Sequence, residues 1–148
     1  QLKYKGDTEI GFYLGEMMGR TLLNSSRFSS IDALVPLPLY ADKEHKRGYN
    51  QAAIICNGIS AVMNVPVLNG TVIRQQATET QTRKHRTERW ENVKQSFKVA
   101  KGHELAGKHL LLVDDVVTTG ATLEACGHVI LGIERVKLSI ATLAYAAK

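Results

Sequence analysis

Residues 110–122 read Leu-Leu-Leu-Val-Asp-Asp-Val-Val-Thr-Thr-Gly-Ala-Thr, and few folds accommodate that order. Four consecutive apolar residues, Leu110 to Val113, suit a strand covered on both faces, as in a parallel sheet. Asp114 and Asp115 stand where such a strand should emerge, followed by hydroxyls and a glycine that can open a helix. Ligands of open α/β sheets bind beyond the carboxyl ends of the strands, which puts the acidic pair at a ligand edge. Small side chains, free backbone N–H groups and the positive end of a helix dipole together suit a phosphate. Taken singly, each half has an ordinary use, as a solvated acidic turn or a Thr-Gly helix start. The combined order is the informative part.

The rest of the chain reads as elements around that strand. A first helix should begin at Gly6 and bury Ile10, Leu14, Met17, Thr21 and Leu22, which recur at spacings of three and four. A short strand over residues 31–36 is stopped by Pro36 and Pro38, because proline cannot donate to a central ladder. Residues 37–47 read as a polar, basic loop carrying Lys43, Lys46 and Arg47. A second helix runs from Gly48 to Asn64, with Tyr49, Ala52, Ala53, Cys56, Ile59 and Met63 along one side. Asn50 and Gln51 in its first turn can cap the backbone or reach a ligand. Residues 65–68 form a short strand at best, residues 70–74 an edge strand, and Phe97 and Val99 mark another small strand. Between these lies a polar, basic stretch with Trp90 as its large apolar anchor, and residues from about 70 to 101 read as a flap inserted over the sheet. A last helix should bury Thr122, Ala125, Cys126, Val129 and Ile130 and end at Gly132 in a left-handed cap, before a strand over residues 136–145. Strand, helix and strand at this spacing make a βαβ unit.

The expected architecture is therefore α/β, a Rossmann-like, mostly parallel sheet with helices on both faces plus a small flap. At 148 residues and 44% hydrophobic, a single domain covering residues 1–148 can bury a sizeable core. No apolar run approaches the ~20 residues of a membrane span, and no signal-peptide pattern opens the chain. The two cysteines, Cys56 and Cys126, lack zinc-site spacing and read as small buried thiols, consistent with a reducing cytoplasm. The formal charge of +5 is concentrated: residues 74–101 hold eight Lys/Arg against three Glu, which accounts for all of it. Such a patch attracts a pyrophosphate-bearing substrate, nucleic acid, or only water and counterions. Residues 102–109 imitate a Walker A loop but fail, since His109 stands where Ser or Thr should be and the loop precedes its strand. The five histidines show no zinc-ligand spacing.

The acidic pair with Thr-Thr-Gly-Ala-Thr closely resembles the phosphoribosyl-pyrophosphate (PRPP) motif of type I phosphoribosyltransferases. Val35-Pro36-Leu37-Pro38, Lys46-Arg47-Gly48-Tyr49-Asn50-Gln51, Thr80-Gln81-Thr82, Arg89-Trp90-Glu91-Asn92 and Phe97 precede it in the order seen in ComF-like proteins, members of that superfamily. ComF relatives are often labelled amidophosphoribosyltransferase-like, and some are linked to natural competence. They usually begin with a cysteine-rich zinc ribbon that is absent here, so the expectation is a trimmed chain or a gene without the ribbon. A glutaminase domain is absent as well, which leaves a glutamine-dependent reaction unsupported.

The resemblance implies specific roles. Thr118, Thr119, Gly120, Ala121 and Thr122 would cradle the 5′-phosphate of PRPP. Asp114 and Asp115 would hold the ribose hydroxyls, directly or through Mg²⁺ bound by way of water or substrate. Backbone N–H groups of the turn Pro36, Leu37, Pro38 and Leu39 would face the pyrophosphate, with Arg47 neutralising it. Arg83, Lys84, Arg86 and Arg89 of the flap would close over the substrate, though a solvated basic helix face explains those four nearly as well. The implied activity is transfer of phosphoribose from PRPP to an unnamed nitrogen acceptor. The alternatives are a PRPP or nucleotide sensor without turnover, or a competence-related module that handles single-stranded DNA. Nucleic acid is the less supported partner, since residues 74–101 offer only Trp90 and Phe97 for stacking. Many relatives pair, which also admits a homodimer.

Overall fold

The computed structural model describes residues 5–75 and 96–146. The middle of the expected flap, with Thr80, Gln81, Thr82, Arg83, Lys84, Arg86, Arg89, Trp90, Glu91 and Asn92, lies outside them. At the centre is strand β4 (His109–Val117), flanked by β1 (Ala33–Pro36) and β5 (Lys137–Tyr145), with both pairings parallel. Leu112 is level with Val35 on one side and Ile140 on the other. Beyond β1 the residue 65–68 segment adds one parallel bridge, Val67 to Leu34.

The pleat sends successive side chains of β1 and β4 to opposite faces, and each face has its own core. Leu34, Leu111 and Val113 pack with Ile55, Cys56 and Ile59 of helix α3 (Gln51–Met63). Ala33, Val35, Leu110 and Leu112 pack with Ala125, Cys126 and Ile130 of helix α4 (Ala121–Leu131). Helices thus cover both faces of a parallel sheet. A two-stranded antiparallel ribbon, β2 (Val72–Arg74) with β3 (Phe97–Val99), contributes Val72 and Phe97 to the α4-side core.

Helix α1 (Lys5–Leu23) departs from expectation. Of the five residues expected inside, Leu22 is buried, whereas Ile10 and Met17 are exposed. Its buried stripe is Gly11, Gly15, Gly19 and Leu22. A Cβ at Gly15 would lie 2.2 Å from the Ile55 carbonyl oxygen, and one at Gly58 of α3 would lie 2.1 Å from that of Phe12. The helix backbones touch, and only glycine permits it. Apolar periodicity alone misses such a face because glycine buries backbone, not side chain.

Three smaller expectations also change. Residues 37–47 are not all loop, because helix α2 (Ala41–Arg47) forms there. Asp42 and Glu44 in its first turn and His45, Lys46 and Arg47 in its last complement the helix dipole. Gly48 closes it at φ 87°, donating its N–H to the Glu44 carbonyl (2.8 Å). Gly132 is not left-handed, since its φ is −73° and the chain makes another right-handed turn, Ile133 N–H to Ile130 O (3.0 Å). The left-handed residue comes later, at Arg135 (φ 57°). On α4, Leu123 is buried and Thr122 and Val129 are only half-buried.

Candidate active site

Strand β4 loses its cover after Val113 but not its pairing, for Asp114 is still level with Thr142 and Val116 with Ala144. Both carboxylates therefore sit on a paired strand as it leaves the core. Asp114 accepts the Asp115 N–H and Asp115 accepts the Val116 N–H, each through Oδ1 at 2.8 Å. Those bonds orient the two carboxylates at the mouth of the cavity. Asp114 is pushed up to about 7, first by burial and next by hydrogen bonding and like charge from Asp115. The Asp115 backbone N–H and the positive charge of Arg74 pull it back down.

The turn after β4 leads into α4 through Gly120, whose φ of 84° is the left-handed region that glycine enters without a Cβ clash. As the N-cap residue it has no side chain to bond the first helical N–H groups, although Ala121 N–H reaches Thr119 Oγ1 at 3.3 Å. An eleven-residue helix thus presents a first turn that its N-cap residue does not close to the space beside the carboxylates.

The facing wall is residues 36–39. Leu37 donates its N–H to the Val113 carbonyl at 2.8 Å, and the Leu37 carbonyl accepts from Asn50 Nδ2 at 3.1 Å. The same Asn50 caps α3, its Oδ1 accepting from Ala52 N–H (2.9 Å) and Ala53 N–H (3.4 Å). This corrects the expectation of several backbone donors in this turn. Pro36 and Pro38 have no N–H and that of Leu37 is engaged, so within residues 36–39 the Leu39 N–H is the remaining donor.

A cavity of about 310 Å³ joins these parts, at the small end of the ~300–1,000 Å³ typical of ligand pockets. It brings together Leu37, Leu39, Arg47, Asp114, Asp115, Thr118, Thr119, Gly120, Ala121 and Thr122. Pro36 and Pro38 line a neighbouring cavity of about 320 Å³ instead, beside Glu44, Asn50 and Asn69. Both cavities share Leu39 and Arg74. Arg74 was legible in the sequence only as one cation of the basic segment. A lone arginine ending a short alternating strand is a weak signal, and its role depends on contacts far along the chain.

Among the described residues no group of three or more His, Cys, Asp or Glu could hold a metal unaided. Two carboxylates beside an open helix N-terminus nonetheless suit Mg²⁺, which takes one or two carboxylates and completes its shell with water and substrate oxygens. Cys126 is buried behind the site with its thiol pushed up to about 12, mainly by burial, and Cys56 is raised for the same reason. Neither has the thiolate character of a nucleophile.

The phosphoribosyl transferase domain model matches residues 47–148, more than half of the chain. The chain belongs to that family. The matched stretch contains the acidic pair, the 118–122 turn and Arg47, while residues 36–39 precede it. This phosphoribosyl transferase domain is 36% identical over 110 residues to competence protein F of Haemophilus influenzae, covering 72% of this chain and 48% of that protein. It is 30% identical over 134 residues to the DNA utilization protein YhgH of Escherichia coli K12, covering 88% and 58%. The chain thus spans about half the length of these curated relatives. Among solved structures it resembles the Bacillus subtilis glutamine PRPP amidotransferase complexed with ADP and GMP (TM-score 0.59, 14% identity, 90% of this chain and 26% of that one). It also resembles the Saccharomyces cerevisiae adenine phosphoribosyltransferase (TM-score 0.53, 13% identity, 98% and 72%). At such identities these two share the fold. Among the described residues no helix is long and apolar enough to cross a membrane.

Proposed function

We propose that this chain binds PRPP with Mg²⁺ and transfers its phosphoribosyl group to a nitrogen nucleophile. The observation that carries this reading is the meeting, in one cavity, of the Asp114–Asp115 pair and the unclosed first turn of α4. Thr118, Thr119, Gly120, Ala121 and Thr122 would receive the 5′-phosphate through N–H groups and hydroxyls. Asp114 and Asp115 would accept hydrogen bonds from the ribose 2′ and 3′ hydroxyls and share the metal with the substrate. Mg²⁺, when bound, would supply positive charge for the leaving pyrophosphate. Arg47, exposed on the last turn of α2, adds mobile positive charge from the protein side. Arg83, Lys84, Arg86 and Arg89 would exclude water by closing over the substrate.

Titration calorimetry with PRPP in the presence and absence of Mg²⁺ tests the binding step, with Mg²⁺-dependent binding expected. Pyrophosphate release on adding nitrogen bases or amines tests turnover, and binding without release would leave a sensor. A second reading is favoured by the names of the relatives, which concern competence and DNA utilization. It predicts single-stranded DNA binding that weakens steeply with salt through the basic residues of 74–101, and salt-insensitive or absent binding would end it.

A further inference from the structure

We infer that Arg74 is the pyrophosphate-binding residue of this pocket, held ready by two aromatic rings. This rests on the PRPP reading above and names a residue that reading had not used. The guanidinium of Arg74 lies 4.4 Å from the centre of the Tyr40 ring and 5.0 Å from that of Phe97. Its backbone is fixed on both sides, by a parallel bridge to Tyr40 and by antiparallel pairing with Phe97. Stacking on two rings holds the planar group in place before any ligand arrives.

What the stack leaves unsatisfied is the Nε–H, while the charge acts on Asp114 without a direct ion pair. Arg74 Nε is buried and has no hydrogen-bond partner, and among the described residues Arg74 forms no ion pair. A buried guanidinium donor without an acceptor is costly unless an anion completes it. Tyr40 follows directly on residues 36–39, and Arg74 walls both cavities together with Leu39, so its charge borders the 36–39 turn and also reaches Asp114. The 5′-phosphate turn opens α4, in the same cavity. That placement answers the deficit of the 36–39 turn, which has one N–H left to offer. Where backbone donors are few, a side-chain cation must carry the anion. Arg47 is exposed and sits 6.0 Å from the Tyr49 ring, a looser arrangement than the double stack of Arg74.

The test compares three ligands on the wild-type chain, Arg74→Met and Arg74→Lys: PRPP with Mg²⁺, pyrophosphate with Mg²⁺, and ribose 5-phosphate, each by calorimetry. The Arg74→Met chain should bind PRPP and pyrophosphate about 10- to 100-fold more weakly and ribose 5-phosphate within about twofold of wild type. Arg74→Lys should recover only part of the loss, because an ammonium keeps the charge but not the planar stack. Unchanged pyrophosphate and PRPP affinity in a folded variant overturns the assignment, as does an equal loss for all three ligands, which marks a purely structural role. If Arg74→Met does not fold, Arg74→Lys decides by the same pattern. A wild-type chain that binds ribose 5-phosphate but neither pyrophosphate nor PRPP overturns the PRPP reading and the Arg74 assignment with it, leaving only the phosphate turn. One that binds none of the three overturns the pocket reading and this assignment with it.

Discussion

Two helices of this protein each pack on one face of the sheet, yet their first turns are finished in opposite ways. At the start of α3, Asn50 accepts the Ala52 and Ala53 N–H groups and also ties down the Leu37 carbonyl. At the start of α4 stands Gly120, left-handed and without a side-chain cap. One end is closed by the protein's own atoms and serves as structure. The other leaves donors facing a cavity that also holds two carboxylates, and it is the proposed phosphate site. The same asymmetry governs the glycines, since Gly58 in α3 admits a neighbouring backbone and Gly120 before α4 admits a turn conformation. A helix N-terminus becomes a ligand site when the chain declines to cap it and places complementary chemistry beside it.

Breaking the structural half should have the largest effect on stability. Gly58→Leu places a side chain where the Phe12 carbonyl already lies, and chemical denaturation should register a loss of about 3 kcal/mol or outright failure to fold. A variant as stable as wild type would refute the backbone contact between α1 and α3. On the functional half, Asp114→Asn with Asp115→Asn should abolish Mg²⁺-dependent PRPP binding, a loss of about 100-fold or more by calorimetry. Retained affinity would remove the acidic pair from the site.

Opening the closed end is the next comparison. Asn50→Ala removes the α3 cap and the bond to Leu37, so unfolding in urea should come about 1–2 kcal/mol earlier, with a smaller effect on phosphate binding. Gly120→Ala should cost only about 1 kcal/mol of stability, from the left-handed φ, while weakening ribose 5-phosphate binding more than Asn50→Ala does. If the two variants rank the other way in ligand affinity, the contrast between closed and open ends fails.

The smallest expected effect is on pH. Asp114 is raised to about 7 in the fold and lies near its ordinary value of 3.8 when unfolded. Between those values the folded chain holds a proton that the unfolded chain has released, so the group's contribution to stability falls as pH rises through that window. Partial exposure makes this modest. Without ligand, Asp114→Asn should gain stability relative to wild type as pH rises from about 4 to about 7, and parallel pH profiles would contradict the raised carboxyl. PRPP and Mg²⁺ need the ionised form, so their affinity should rise over the same range.

Legibility followed how local each signal was. The 110–113 run announced a strand covered on both faces, because every residue in it is apolar and the alternation of the pleat then supplies two cores. Helix α1 was misread because its buried stripe is made of glycines at positions 11, 15 and 19, which carry no hydrophobic signal. The 36–39 turn does follow the carboxyl end of β1, as expected, but its donor capacity depends on Leu37 N–H reaching Val113, a contact between distant segments. Arg74 stayed hidden for the same reason, since Tyr40 and Phe97 lie 34 and 23 residues away along the chain.

By itself the sequence determined a buried parallel strand, an acidic pair at its exit and a glycine-opened helix start, since all three arise from neighbours within a dozen residues. Only the tertiary structure decided which backbone N–H groups remain unengaged beside the cavity and that Arg74 joins Arg47 in lining it. Hydrogen-bond satisfaction and the stacking of a guanidinium between two rings are settled between segments that packing, not chain order, makes adjacent.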